Sequence, residues 1–113
     1  MKIAFTTKGP EWDADMDARF GRAEFILVYD EEKDQIEYFD NRAIKGAAHG
    51  AGPQTSQKLF ELKPNVLITG NGPGGNAALV LEKAGMEIYV GAGEMAVGQA
   101  YLAYKNSELK KFG

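Results

Sequence analysis

The 113-residue chain contains no cysteine. That excludes disulfides, and it excludes an iron–sulfur cluster held by thiolates of this chain. Positive charge is also scarce: thirteen Lys and Arg stand against sixteen Asp and Glu, for a formal net charge of −3. No basic run tracks a phosphate backbone, so no nucleic-acid partner is expected. Long apolar runs are missing too. The opening "MKIAFTTKGPEW" holds one five-residue apolar-leaning stretch, too short for a signal-peptide core or a membrane span. A cytoplasmic protein without membrane contact is expected. The chain has a single histidine, and no Ser-His-Asp or Cys-His arrangement can be assembled, so it is not read as an enzyme.

Hydrophobic residues make up 44% of the chain and charged residues 26%, the balance of an ordinary globular protein. With neither a linker nor an internal repeat, residues 1–113 are expected to form one domain. "KIAFT" reads as a short buried strand, and "EFILVYD" and "QIEYFD", separated by "EEKD", read as an antiparallel hairpin with a four-residue turn. A helix follows with Pro53 in its first turn, Pro64 beyond its end, and Leu59 and Leu62 on its buried side. "NVLIT" is a fourth strand, Asn76 to Lys83 a second helix stopped by Gly85, and "MEIYV" a fifth strand. Val97, Ala100, Tyr101 and Tyr104 fall at i, i+3, i+4 and i+7, one stripe of a final helix. The last residues, "NSELKKFG", are expected to fray. The order β-β-β-α-β-α-β-α predicts an α/β fold with a mixed five-stranded sheet, one antiparallel strand and three helices.

The stretch "VLITGNGPGGNAALVLEKAG" satisfies G-x-G-x-x-G at Gly70, Gly72 and Gly75, the fingerprint of a dinucleotide site. Its position argues otherwise, because that fingerprint belongs in the first β-α-β unit and expects an acid at the tip of the next strand. Here it comes second to last, and the tip reads "YVGAG". Glu94, a little further on, reads as the opening residue of the last helix, favouring its dipole.

Three glycine-rich loops, "KGAAHGAGP", "TGNGPGG" and "GAGE", each precede a helix. They either shape tight connections or, gathered on one sheet edge, form a crevice whose helix N-termini attract an anion. On the second reading the contacts are Gly50 and Gly52 from the first loop, and Gly91 and Gly93 from the third. The middle loop supplies Gly70, Asn71, Gly72, Gly74, Gly75 and Asn76.

"RFGRAEFILVYD", "HGAGPQTSQKL" and "VLITGNGPGGNAALVLEKAGMEIYVG" together resemble the dinitrogenase iron-molybdenum cofactor biosynthesis family, over about residues 1–105. The resemblance implies an RNase H-like fold and the binding or carriage of a metal–sulfur cluster, whether iron-molybdenum, iron-sulfur or molybdenum-copper. It implies metallocluster assembly or acceptor proteins as partners, and a monomer or weak homodimer. Mostly on this resemblance, His49 is the expected metal ligand, since imidazole suits iron, copper and zinc. Without cysteine the hold is weak and reversible, as a carrier requires. Arg19 and Arg22, inside "RFGRA", are either partners of the neighbouring carboxylates or further anion contacts. The other reading is a cluster-free interaction module docking on an ATPase or biosynthetic enzyme.

Some features are better explained by packing or solvation. Met16 and Met95 could ligate softly but read as packing residues. Asp13, Asp15, Asp17 and Glu24 fit positions 1, 3, 5 and 12 of an EF-hand, yet Ala18 replaces the required glycine and no helix precedes them. Trp12 either covers the ligand edge or a partner surface, or closes the core. The two-metal nucleases of the implied fold place a carboxylate on the first strand, and "KIAFT" has none.

Overall fold

The computed structural model describes residues 1–42 and 51–112. Its described elements are β1 (Lys2–Thr7), β2 (Phe25–Asp30), β3 (Gln35–Asp40), α1 (Ala51–Leu62), β4 (Val66–Ile68), α2 (Gly75–Lys83), β5 (Glu87–Val90), α3 (Val97–Lys105) and β6 (Lys110–Lys111). The strands form one mixed sheet in the order β3-β2-β1-β4-β5-β6. β1, β4 and β5 are parallel neighbours; β2 runs antiparallel to β1 and β3, and β6 antiparallel to β5.

The expected five strands with one reversed are therefore corrected to six, of which β2 and β6 are reversed. The expected fraying of the last residues is corrected as well. Lys110 and Lys111 pair with Val90 and Tyr89, the Phe112 amide donates to the Ile88 carbonyl at 2.8 Å, and the Phe112 ring is partly buried against the core. One aromatic residue anchors the end of a segment that is otherwise too polar to read as a strand.

Side chains alternate across the sheet with the strand period of two. Ala4, Ile26, Val28, Leu67 and Ile88 face α1 and α2, where Leu59 and Leu81 meet them. Ile3, Phe5, Leu27, Val66 and Ile68 face α3 and its Val97 and Ala100. Burying each of the larger side chains contributes about 2 kcal/mol, so the two layers flank the sheet on comparable terms.

Local chemistry fixes the connections. The β2–β3 turn is held by Asp30 Oδ1, which accepts the amides of Glu32 at 3.0 Å and Lys33 at 3.3 Å, an Asx-type turn. At the end of α2, Gly85 has φ +84; its amide donates to the Glu82 carbonyl at 3.0 Å and that of Met86 to Leu81 at 3.1 Å. This is a Schellman ending, closed by the contact of Met86 and Leu81 in the core.

Candidate functional site

The parallel strands β1, β4 and β5 end at one edge and deliver loops 8–24, 69–74 and 91–96 there. Between these loops opens a cleft of about 620 Å³, within the usual range for small-ligand sites. Gly70, Asn71, Gly91 and Gly93 line it, as do Lys8, Asp15, Ala18, Glu94 and Met95. Helices α1 and α2 start from this edge on one face of the sheet and α3 on the other.

Loop 8–24 folds down over the glycines. It adds short antiparallel bridges between Thr7 and Met16 and between Asp15 and Ala96. Its Ala18 carbonyl accepts the Asn71 amide at 2.8 Å. A Cβ on Gly70 would lie 2.5 Å from Ala18 Cα, and one on Gly93 would lie 3.0 Å from Ala18 Cβ. These two glycines are required by the close approach of a third backbone, so for them the tight-connection reading holds. Gly72 combines φ +87 with a Cβ position 2.7 Å from the Phe112 ring; it seats the end of the chain and does not line the cleft. Gly91 has φ +96 with open space around it, and Gly74 likewise meets nothing within 4 Å.

Polar groups under the edge are paired. Asp17, with a side chain 2% exposed, meets Arg19 through two hydrogen bonds, Nε to Oδ1 at 3.0 Å and Nη2 to Oδ2 at 2.9 Å. Burial pushes the Asp17 carboxyl up, but the side-chain and backbone hydrogen bonds from Arg19 outweigh it and hold the group below its ordinary value. The Thr6 and Thr69 hydroxyls lie 2.6 Å apart, both buried, and Thr6 also donates to the Asp17 carbonyl at 2.9 Å. Buried Asn41 donates its amide to the Ala23 carbonyl at 2.9 Å, and to the Gly21 carbonyl and Thr55 hydroxyl, both at 3.2 Å. It thereby ties "FGRA" to α1.

The site residues expected from sequence divide accordingly. Gly70, Asn71, Gly91 and Gly93 meet in the cleft. Arg19 is committed to Asp17, and Arg22 is exposed on loop 8–24. Gly74 caps α2, Gly75 and Asn76 open it, and Gly52 lies in the first turn of α1. His49 and Gly50 lie outside the described residues. Trp12 closes the core on the α3 face, with ring centroids 5.1 to 5.9 Å from Tyr29, Tyr101 and Phe5. Met16 is fully buried and Met95 partly, both in the same core layer.

One expectation about α3 is corrected. The helix begins at Val97, after Ala96, so Glu94 does not open it and instead lines the cleft. At its start the Val97 amide donates to the Ala14 carbonyl at 2.9 Å, and the Ala96 amide to Gln99 Oε1 at 3.0 Å. Lys8, Asp15 and Ala18 were missed as cleft residues. Lys8 was findable, since it directly follows β1 and must lie at the carboxyl edge. The other two depend on how loop 8–24 folds back, which no local pattern announces.

A mixed α/β sheet with a cleft at the carboxyl edge of its parallel strands defines a small domain of the open α/β class, in which ligands bind at that edge. The profile of the dinitrogenase iron-molybdenum cofactor family matches residues 1–107, and the chain belongs to that family. Among solved structures it is similar to the apo form of the orange protein from Desulfovibrio gigas, with 33% identity, a TM-score of 0.91, and coverage of 99% of this chain and 92% of that one. It is also similar to a putative NifB protein from Thermotoga, with 31% identity, a TM-score of 0.82, and coverage of 97% and 91%. A comparison with curated proteins finds no match.

Proposed function

We propose that the protein is a carrier for an anionic metal–sulfur cluster, held reversibly as cargo at the carboxyl edge and passed on without catalysis. The observation that carries this reading is the 620 Å³ cleft between the loops after β1, β4 and β5, in a chain of the iron-molybdenum cofactor family. The strand order β3-β2-β1-β4-β5 with β2 reversed supports the RNase H-like reading of the fold. The orange protein was solved as an apo form, a description that implies a loaded one.

The residues fit cargo better than a resident centre. Sulfide and oxyanion surfaces accept hydrogen bonds from backbone N–H groups, and Lys8 supplies positive charge in the cleft. Asp15 and Glu94 oppose a compact anion, which weakens the hold and eases release. Metal ligation falls to His49. Iron-molybdenum, iron-sulfur and molybdenum-copper clusters all suit this chemistry. The implied setting is the cytoplasm, with assembly or acceptor proteins as partners; among the described residues no helix is long and apolar enough to cross a membrane.

The second reading is a cluster-free module docking on an ATPase or biosynthetic enzyme, and the same two carboxylates in the cleft favour it. Anaerobic reconstitution with iron-sulfide and thiomolybdate species, with and without copper, separates the two after desalting, metal analysis and visible absorption. Stoichiometric retained metal, lowered about tenfold in Lys8→Glu (roughly 1.4 kcal/mol) and also lowered in His49→Ala, is the expected result. A colourless, metal-free protein sinks the carrier reading, and unchanged metal content in His49→Ala removes that residue from the site.

A further inference from the structure

The two edges of the sheet are defended very differently. β6 closes one edge with two exposed lysines, Lys110 and Lys111, the usual protection against edge pairing. β3 closes the other with six residues, Gln35–Asp40, that include no proline or lysine and whose charges are the two carboxylates Glu37 and Asp40. Ile36 is 44% and Tyr38 59% exposed.

The direction of the backbone groups on β3 can be read from its partner strand. Residues 41 and 24 continue the β2–β3 register, and the Asn41 amide donates to the Glu24 carbonyl at 2.8 Å. Asn41, and by alternation Phe39, Glu37 and Gln35, therefore turn their N–H and C=O groups inward to β2. Ile36, Tyr38 and Asp40 turn theirs outward, to the edge on which no described strand pairs.

We propose that this edge is a homodimer interface, in which β3 of a second copy adds antiparallel to β3 about a two-fold axis at Tyr38. A two-fold axis normal to the sheet keeps each residue on its own face, so it pairs only residues of equal parity. An axis at Tyr38 sets Tyr38 opposite its copy and Ile36 opposite the other chain's Asp40. All of these carry outward backbone groups and form reciprocal hydrogen bonds. Just beyond the strand ends, Asp34 comes opposite the other chain's Arg42, whose guanidinium already pairs with its own Asp40 at 2.6 Å, so a second carboxylate joins that pair at both ends. An axis at Glu37 would instead oppose two carboxylates directly, which is destabilising. An axis at Phe39 would run the pairing past the strand and lose the Asp34–Arg42 match. At the Tyr38 axis, the tyrosine ring already lies edge-on to Phe25 at 6.0 Å, with the Arg42 guanidinium 5.1 Å over Phe25, so both copies bring a formed aromatic platform. A single strand pair buries little area, so the dimer is weak and concentration-dependent.

The absence of native cysteine makes the register directly testable. Hydrogen-bonded antiparallel partners have Cα atoms about 5.5 Å apart, within disulfide reach, whereas two copies of position 36 are displaced by roughly 13 Å along the strand. Under mild oxidation Tyr38→Cys should form a covalent dimer at least tenfold faster than Ile36→Cys. Sedimentation of the wild type should rise with concentration from 12.3 kDa toward twice that mass. Tyr38→Lys, shown by its melting curve to be folded, should stay at the lower mass. A wild type that remains monomeric at millimolar concentration overturns the proposal and leaves the edge to a strand from another protein. Equal cross-linking at positions 36 and 38, or association surviving in Tyr38→Lys, also overturns it.

Discussion

The two faces of the sheet are finished by different chemistry. On the α3 face, Trp12 touches Phe5, Tyr29 and Tyr101, and Tyr89 meets Tyr104 at 5.0 Å; the layer is sealed by rings. On the α1–α2 face, the aliphatic layer around Leu59 and Leu81 gives way toward the carboxyl edge to buried Thr6, Thr69, Asn41 and Thr55. Rings need only area and shape, whereas buried polar groups need every partner in place. The α3 face thus carries stability through buried area. The polar layer holds the edge loops in one geometry at the risk of failing when a single partner is lost.

The strongest way to break this arrangement is to separate the loops where they touch most closely. Gly70→Val drives a side chain into the Ala18 backbone, 2.5 Å from the first new carbon, and is expected to cost about 3 kcal/mol. Gly74→Ala, with nothing within 4 Å, should stay within about 0.5 kcal/mol of wild type. Denaturant melts of both variants check the pair. Equal losses would show that loop 8–24 is not seated against Gly70.

The contrast between the faces is sharpened by Trp12→Ala and Asn41→Ala. Removing the indole from its three ring partners should cost about 3 kcal/mol yet leave metal retention in the reconstitution assay unchanged. Removing the Asn41 amide leaves the Gly21 and Ala23 carbonyls without this donor and should cost about 2 kcal/mol. Because it frees "FGRA" from α1, it should also lower retention. If Trp12→Ala lowers retention as much as Asn41→Ala, the division of labour between the faces is wrong.

Much of this fold is legible in sequence, since strands of period two and helices of period 3.6 are local signals. "EFILVYD" and "QIEYFD" were readable as a hairpin, and Gly85 as a helix stop, because each carries its own reason. β6 was not, because two lysines have no strand pattern and Phe112 finds its place only once β5 and Gly72 exist. The site was half legible. Glycine loops after strands announce a carboxyl edge, which located Gly70, Asn71, Gly91 and Gly93. The positions of Asp15, Ala18 and Glu94 are set by tertiary bridges such as Asp15 with Ala96. Asn41, in "FDNR", has the composition of a turn residue, and its network joins residues up to 34 positions apart, Thr55 with Gly21.

The smallest effect expected is a difference in how the two regions respond to pH. At the carboxyl edge the Asp17 carboxyl is lowered on folding. Its contribution is therefore complete above the ordinary carboxylate range, about pH 4, and is lost as pH falls through the lowered value. On the α3 face Tyr101 donates to Glu31 Oε2 at 2.5 Å, beside Lys105 Nζ at 3.0 Å. That hydrogen bond, followed by burial, pushes the Tyr101 hydroxyl up to about 12. A raised group has the opposite sign: its contribution is complete below the ordinary tyrosine value, about pH 10, and is lost as pH rises to about 12. The same bond holds the Glu31 carboxyl low, so this face has an acid-side contribution as well. Denaturant midpoints measured across pH should lose part of their acid dependence in Asp17→Asn. Tyr101→Phe should flatten the alkaline limb by a few tenths of a kcal/mol, a small amount because the pair is partly solvated. An alkaline limb unchanged in Tyr101→Phe would mean that the Glu31 contact is not formed in solution, leaving the aromatic rings as the main closure of the α3 face.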